Sequence, residues 1–595
     1  MFKDLNQAWD MDVIFPGGSG SPQFVAFVDQ LRADMKDVAA EVEGGAPAGA
    51  DGWAARMDHI QKVARDSRHA GAFVSCLTAQ NVADSHARIV GGQLREIQAT
   101  FANILTRLDQ QLLAVPEDEW RALLADERLA SLSFNLDERR RRAKDLLPLE
   151  METLVNGLST DGYHGWSELY DVVTGRMTIT LEDKEGKPVT VSPGQAANRM
   201  SNPDPKVRAE IMSRWEQAWA KEADLCALAI NHIAGFRLNL YRQRGWDSVL
   251  HEPLDINRMT PETLDAMWGA VAGARGRLAA YLKRKQRLLG LEKMNWQDVD
   301  APVGQSARRL TYDQAADFVV EQFGRFSLGM ADVARRAFEE RWIEAEDRPG
   351  KRMGGFCTGF PLNKVSRVFV TFSGSMGNVA TVAHELGHAY HQSVMEGLPP
   401  FAQNYAMNVA ETASTFAETV VFEAAIRNAA DEKEKVLLLE DKLRRAVGLL
   451  MNIQARFLFE TRFYEARKKG PVSVTRLNDI MVEAQKEAYA GALDSYHAHF
   501  WASKLHFYIT RPPFYNFPYT FGYLFSAGVY ARAMEVGPSF ADRYVDLLRD
   551  TGSMRVEDLA RKHLGADLTR PEFWEGAVDS VLGGLAAFLD SKALE

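Results

Sequence analysis

The chain has 595 residues, 46% of them hydrophobic and 25% charged, with a formal net charge of -10. A chain of this size calls for at least two packed units or one large helical body, and its composition is that of a globular enzyme rather than a disordered or fibrous protein. The acidic balance lacks the basic footprint of a nucleic-acid or anionic-membrane binder, and three scattered cysteines, Cys76, Cys226 and Cys357, argue against a disulfide framework or a Cys-ligated zinc site.

The opening MFKDLNQAWDMDVIF carries Asp and Asn where a secretory peptide needs an apolar run, and no later stretch has the uninterrupted apolar length of a membrane span. A cytoplasmic protein, with neither nucleic acid nor membrane as partner, is expected. From about Ser21 to Leu147 apolar residues recur every three or four positions, as in GGQLREIQATFANILTRLDQQLLAV, and predict helices packed on helices. Within this stretch ERRRRAKDLLP reads as a charged, solvated helix face. At GRMTITLEDKEGKPVTVS, Thr178, Thr180, Thr190 and Val191 flank a Lys-Glu-Gly-Lys turn and predict a β-hairpin. The hairpin is taken as the end of an N-terminal helical domain, 1–200, with a catalytic domain over 201–595.

Helical periodicity resumes after SNPDPKVR and runs to about Glu346. VSRVFVTFSG then reads as a strand, and its glycine-rich turn SGSMG leads into the helix NVATVAHELGHAYHQSV. Gly397, with Pro399 and Pro400 beyond it, predicts where that helix stops. A second helix follows in NVAETASTFAETVVFEAAIRNA.

In HELGH, His384 and His388 are four residues apart, so both imidazoles project from one helix face and can share a metal ion. Glu385 lies about 100° round the helix, where its carboxylate can take a proton from water as general base rather than bind the ion. Two neutral imidazoles need a third ligand, and Glu411 on the returning helix suits it. Glu418 lies two turns along the same face and can accept the second N–H of a ligating imidazole; Ser414 shares that face. Zinc, one ion per chain, is the natural occupant of such a set. His391 is read as structural, and Cys357 as a small buried residue. The strand VSRVFVTF, through Val370 and Thr371, offers a peptide backbone a sheet edge.

HELGHAYH with ETASTFAE, preceded by GGFCTGF and VFVTFSGS, resembles the M3 metallopeptidases, in particular the oligoendopeptidase F group. The similarity extends to WASKLHFYITRPPFYNFPYTFGYLFSAG and covers roughly residues 170–590. It implies a mainly α, two-lobed, zincin-like body with a deep central channel, a small β-sheet next to the HExxH helix, and cleavage of internal bonds in short unfolded oligopeptides. It also implies that His506 and tyrosines of the aromatic block contact substrate and its oxyanion. ITRPP separates His506-Phe507-Tyr508 from Phe514-Tyr515, where many relatives run on directly. Tyr515 and Tyr519 are the favoured catalytic tyrosines, with Tyr508 next as a substrate contact, and His497 and His499 are left as structural or rim residues. Two other readings stay open here: a zinc carboxypeptidase on a similar helical scaffold, and a catalytically silent peptide-binding protein.

Overall fold

The computed structural model describes residues 1–182, 186–304 and 309–595, and helices dominate it, with five short strands among the described residues. The mainly α expectation holds. None of the described helices is long and apolar enough to cross a membrane. The chain forms two compact units, each assembled from three segments. One comprises Met1–Leu146, Arg308–Ala425 and Arg532–Gly565; the other comprises Leu147–Ala307, Ile426–Ala531 and Ala566–Glu595.

This packing does not follow a boundary at residue 200. The hairpin of β1 (Ile179–Glu182) and β2 (Pro188–Val191) pairs antiparallel with Ile179 opposite Val191, as its Thr and Val pattern predicts. Lys184 and Glu185 of its expected turn lie outside the described residues. The hairpin belongs to the second unit, because the preceding helix Gly165–Arg176 packs along the 39-residue helix Pro205–Gln243.

In the first unit, α1 (Pro22–Glu43), α2 (Gly49–Gln80) and α3 (Ser85–Ala114) pack on one another. Ser21 starts α1 by accepting the Phe24 N–H, with Pro22 at the first helical position, where a missing N–H costs nothing. Phe24, Val28, Leu31, Met35, Val38 and Val42 then recur every three or four residues and are all buried, the single stripe an amphipathic helix turns inward. The arginine run on the helix Ser133–Lys144 is not wholly solvated, however. Arg140 is buried over Trp120, with its guanidinium donating to Glu117 and to the Val115 carbonyl.

Behind these helices lies a three-stranded sheet in the order β3 (Ile343–Glu344), β5 (Val365–Phe369), β4 (Phe356–Phe360), with β5 in the middle. Phe360 and Phe369 join the α1–α3 core. The chain leaves β5 through Gly374, whose φ of +85° a side chain rarely adopts, and enters α4 (Met376–Val394). A capping box starts α4: Ser375 Oγ accepts the Asn378 N–H while Asn378 Oδ1 accepts the Ser375 N–H. Past its end, Gly397 has a φ of +79°.

α4 meets α5 (Thr412–Arg427) at Gly387. A Cβ there would lie 2.5 Å from the Ala413 carbonyl oxygen and 2.6 Å from Ser414 Cα, so only glycine lets the two backbones come this close. Gly387→Ala is therefore expected to destabilise the first unit by about 1–3 kcal/mol, the range for overpacking a close contact. A lowered midpoint in denaturant unfolding is the check, and an unchanged midpoint would show that the helices part freely.

In the second unit a fully buried ion pair ties Pro205–Gln243 to Asp298. Arg208 donates to Asp298 Oδ1 at 2.8 and 3.0 Å and to the carbonyls of Asn202 and Pro203 at 2.8 and 2.9 Å. Removing one member of such a pair strands the other charge in the interior. Arg208→Met is expected to cost about 3–5 kcal/mol, read as a loss of chemical stability of this unit.

Candidate metal centre

α4 and the turn that opens α5 bring three ligand atoms to one point. His384 Nε2 lies 3.1 Å and His388 Nε2 3.6 Å from Glu411 Oε2, and ligand atoms of all three residues fall within 4.8 Å of one another. The two imidazole planes stand at 83°, with centroids 5.1 Å apart, as expected of rings one helical turn apart converging on a common spot.

The outer contacts set the proton positions. His384 Nδ1 is 3.1 Å from Glu418 Oε2, and Glu418 is buried. A neutral imidazole has one N–H, and Glu418 can only accept, so His384 gives that N–H to Glu418 and turns the Nε2 lone pair toward Glu411. Ser414, fully buried, donates to Glu411 Oε2 at 2.7 Å. Burial holds the His388 imidazolium form down to about 4, only partly offset by Glu411, so this ring is neutral near pH 7. For Glu411 burial works the other way, but the surrounding His384 and His388 rings and the Ser414 hydroxyl outweigh it and bring the carboxyl down to about 2. Two lone pairs and an ionised carboxylate facing one point repel unless a cation lies among them. The donor set therefore fits a divalent metal of borderline softness, with three protein ligands and room for more.

Glu385 stands apart from this set. It is buried, Oε2 has no hydrogen-bond partner among the described residues, and Oε1 is 3.1 Å from where a side chain on Gly355 would begin. Burial, with Glu411 adding and His384 opposing, pushes its carboxyl up to about 7. Gly355 precedes β4, so its lack of a side chain leaves space beside the carboxylate, a feature visible in GGFC but not read from it.

His391 is fully buried, bonded to Thr551 Oγ1 at 2.9 Å and stacked on Tyr405, as its structural reading has it. Cys357, half-buried on β4, has its thiol pushed well above the ordinary range by burial. The sheet corrects the edge assigned to Val370 and Thr371. β5 is central, the Val370 N–H is spent on the Glu344 carbonyl, the Val370 carbonyl accepts from Lys351 Nζ, and the Phe372 N–H goes to Ala345. The antiparallel edge strand is β4.

His506, Tyr508, Tyr515 and Tyr519 belong to the second unit. His506 is 5.4 Å from Tyr515 and 6.2 Å from Tyr519, ring to ring, and the two tyrosine rings are 5.9 Å apart, so these three form one half-buried cluster. Tyr508 does not join it. It is fully buried and stacked on Tyr170 at 3.7 Å, which makes it a core residue rather than a substrate contact. His497 and His499 both point Nδ1 at Glu216, at 2.5 Å each, and bind this segment to Pro205–Gln243.

Comparison with known proteins places this geometry. The model of "Peptidase family M3" matches residues 199–579, and that of "Oligopeptidase F" matches residues 111–179. Oligopeptidase PepF of Bacillus subtilis is 21% identical over 580 residues, covering 96% of this chain and 85% of the relative. The chromosomal oligoendopeptidase F of Lactococcus lactis subsp. cremoris is 26% identical over 341 residues, or 56% of this chain and 55% of the relative. The crystal structure of oligoendopeptidase-F from Enterococcus faecium superposes with a TM-score of 0.69 at 16% identity, covering 96% of this chain and 98% of that one, and so shares the fold. With the family model spanning well over half of the sequence and the HELGH helix inside it, the chain belongs to peptidase family M3.

Proposed function

We propose that this peptidase is a zinc-dependent endopeptidase of short, unfolded oligopeptides, with zinc held by His384, His388 and Glu411. The observation that carries the proposal is the convergence of two imidazoles, that of His388 held neutral by burial, and one ionised carboxylate beside a buried glutamate that carries no such contact. A zinc ion supplies Lewis-acid chemistry in such a site, lowering the pKa of water toward about 7 and polarising a carbonyl.

The protein's own groups do the rest. Glu385 removes a proton from the attacking water and hands it to the departing amine nitrogen, so that the C–N bond breaks without releasing a charged amide. A carboxyl whose pKa lies near neutrality can both take and return that proton. Glu418 holds His384 in the tautomer that leaves Nε2 free, and Ser414 orients Glu411. To His506, Tyr515 and Tyr519 we assign the substrate and oxyanion contacts that their motif implies; a neutral His506 suits a hydrogen-bond donor, since burial holds it down to about 4. The substrate backbone we assign to the edge of β4, beside Gly355 and Glu385.

The deciding substrate is an internally quenched peptide amidated at its C-terminus, which an endopeptidase cuts and a carboxypeptidase does not. The wild type should cleave it, a chelator should stop cleavage, and added zinc should restore it. Glu385→Gln should lose at least about a thousandfold in kcat while still binding zinc, because it removes the proton carrier and no ligand. Loss of zinc together with activity would place Glu385 among the ligands instead. Glu418→Ala is expected to weaken zinc affinity by about 10- to 100-fold, measured by competition with a chelator of known strength, since the His384 ring loses its orienting partner.

A further inference from the structure

Within the second unit two cations lie over one aromatic ring and near enough to act on each other, without a carboxylate among the described residues bonded to either. Lys504 Nζ is 5.2 Å and Arg456 Cζ 5.4 Å from the centroid of the same Phe500 ring. Arg456 donates one N–H to Asn516 Oδ1 at 3.1 Å, but its Nε is buried without a hydrogen-bond partner among the described residues. The Lys504 ammonium has no ion pair or hydrogen bond among them. His506, two residues on, has a buried Nδ1 that is likewise unpartnered.

The surrounding charges do not neutralise this pair. Asp300 acts on both cations from an exposed position but bonds to neither. Glu460 shares Asn516 with Arg456, yet burial, only partly offset by Arg237 and by hydrogen bonds from Phe514 and Asn516, pushes its carboxyl up to about 8, so it carries a proton near pH 7. Burial together with Arg456 brings Lys504 down to about 8, the mark of an ammonium that lacks a counter-ion. The half-buried Tyr515 and Tyr519 lie against His506, 5.4 and 6.2 Å from its ring.

A guanidinium and an ammonium with free donors, next to a neutral imidazole, match the oxygens of a carboxylate, and an incoming anion would relieve the repulsion between them. We propose that Lys504 and Arg456, beside His506, form a subsite for a carboxylate of the bound peptide, an inference that rests on the oligopeptide-hydrolase reading. The carboxylate is either the terminal α-carboxylate of the peptide or an acidic side group near it, and the chemistry of recognition is the same.

Three matched peptides separate these sources: one with a free C-terminal acid, its C-terminal amide, and the amide with Glu in place of Gln at the last position. Their dissociation constants are measured by calorimetry on the zinc-loaded Glu385→Gln protein, which binds without turning over, and their cleavage is measured on the wild type. At least one carboxylate-bearing peptide should bind about tenfold more tightly than the plain amide, the gain of one charge-assisted contact. Preference for the free acid assigns the subsite to the peptide terminus, and preference for the Glu amide assigns it to an acidic residue. Adding Lys504→Met should bring the ratio close to one, and Lys504→Arg should retain it. Equal affinities for all three peptides would overturn the subsite even if the wild type cleaves them all, as would a ratio that survives Lys504→Met. Unequal affinities with no cleavage would keep the subsite and defeat the hydrolase reading instead.

Discussion

Two ligand atoms from one helix and a third from the turn that opens the next can meet only if the helix backbones come closer than side chains ordinarily permit. α4 and α5 achieve this at Gly387, where the space that a methyl group needs is already filled by the Ala413 carbonyl and Ser414 Cα. The contact falls between the two histidines of HELGH and next to the turn that carries Glu411. From it follow the 3.1 and 3.6 Å separations from the imidazoles to Glu411, and the reach of Glu418 back to His384 one turn further along. A wider helix pair would leave the glutamates solvated and the histidines to core packing.

Burial then sorts the titratable groups of this one helix pair into different states. His388 is kept neutral because its charged form loses hydration and regains only part of it from Glu411. Glu411, half-buried, is kept ionised because its neighbours compensate its burial, whereas Glu385, one residue from His384 and more deeply buried, has no hydrogen-bond partner for Oε2 among the described residues and moves the opposite way. Two neighbouring carboxylates with pKa values driven apart by burial and partners are the arrangement by which ligand and general base are distinguished.

The metal centre was legible in the sequence because everything that builds it is local. Helical spacing sets the two histidines, a return helix places Glu411, and spacing again puts Ser414 and Glu418 on its face; the structure finds these residues together. What the sequence did not disclose depends on distant partners. The pattern VSRVFVTF marks a strand correctly, but whether that strand is central or at an edge is decided by Ile343–Glu344 and Phe356–Phe360, and it is central. Tyr508 lies in the same aromatic motif as Tyr515, yet Tyr170, more than three hundred residues away, covers it. The compact units were not legible for a similar reason, since each is gathered from three segments separated in sequence. Lys504 stood in plain view in WASKLHFY, but its lack of a counter-ion is a property of its neighbours.

The aromatic segment of the second unit is itself fastened at both ends, and both fastenings involve π-helical turns. Tyr163, in the turn Thr160–His164, donates its hydroxyl to the Thr510 carbonyl at 2.8 Å, and His164 Nδ1 lies 2.8 Å from Thr510 Oγ1. At the other end Thr520 Oγ1 donates to the Leu449 carbonyl, in the turn Val447–Asn452, at 2.6 Å. A π-turn widens the helix and frees backbone groups from their usual i→i-4 partners. The Leu449 carbonyl in that turn accepts from a side chain outside the helix. Between these two anchors Asn516 meets Arg456, and Phe514 adopts a left-handed φ of +51° that redirects the backbone just before Tyr515. The segment that carries Tyr515 and Tyr519 is thus held at both ends by contacts from outside it, made from irregular turns in two helices distant in sequence.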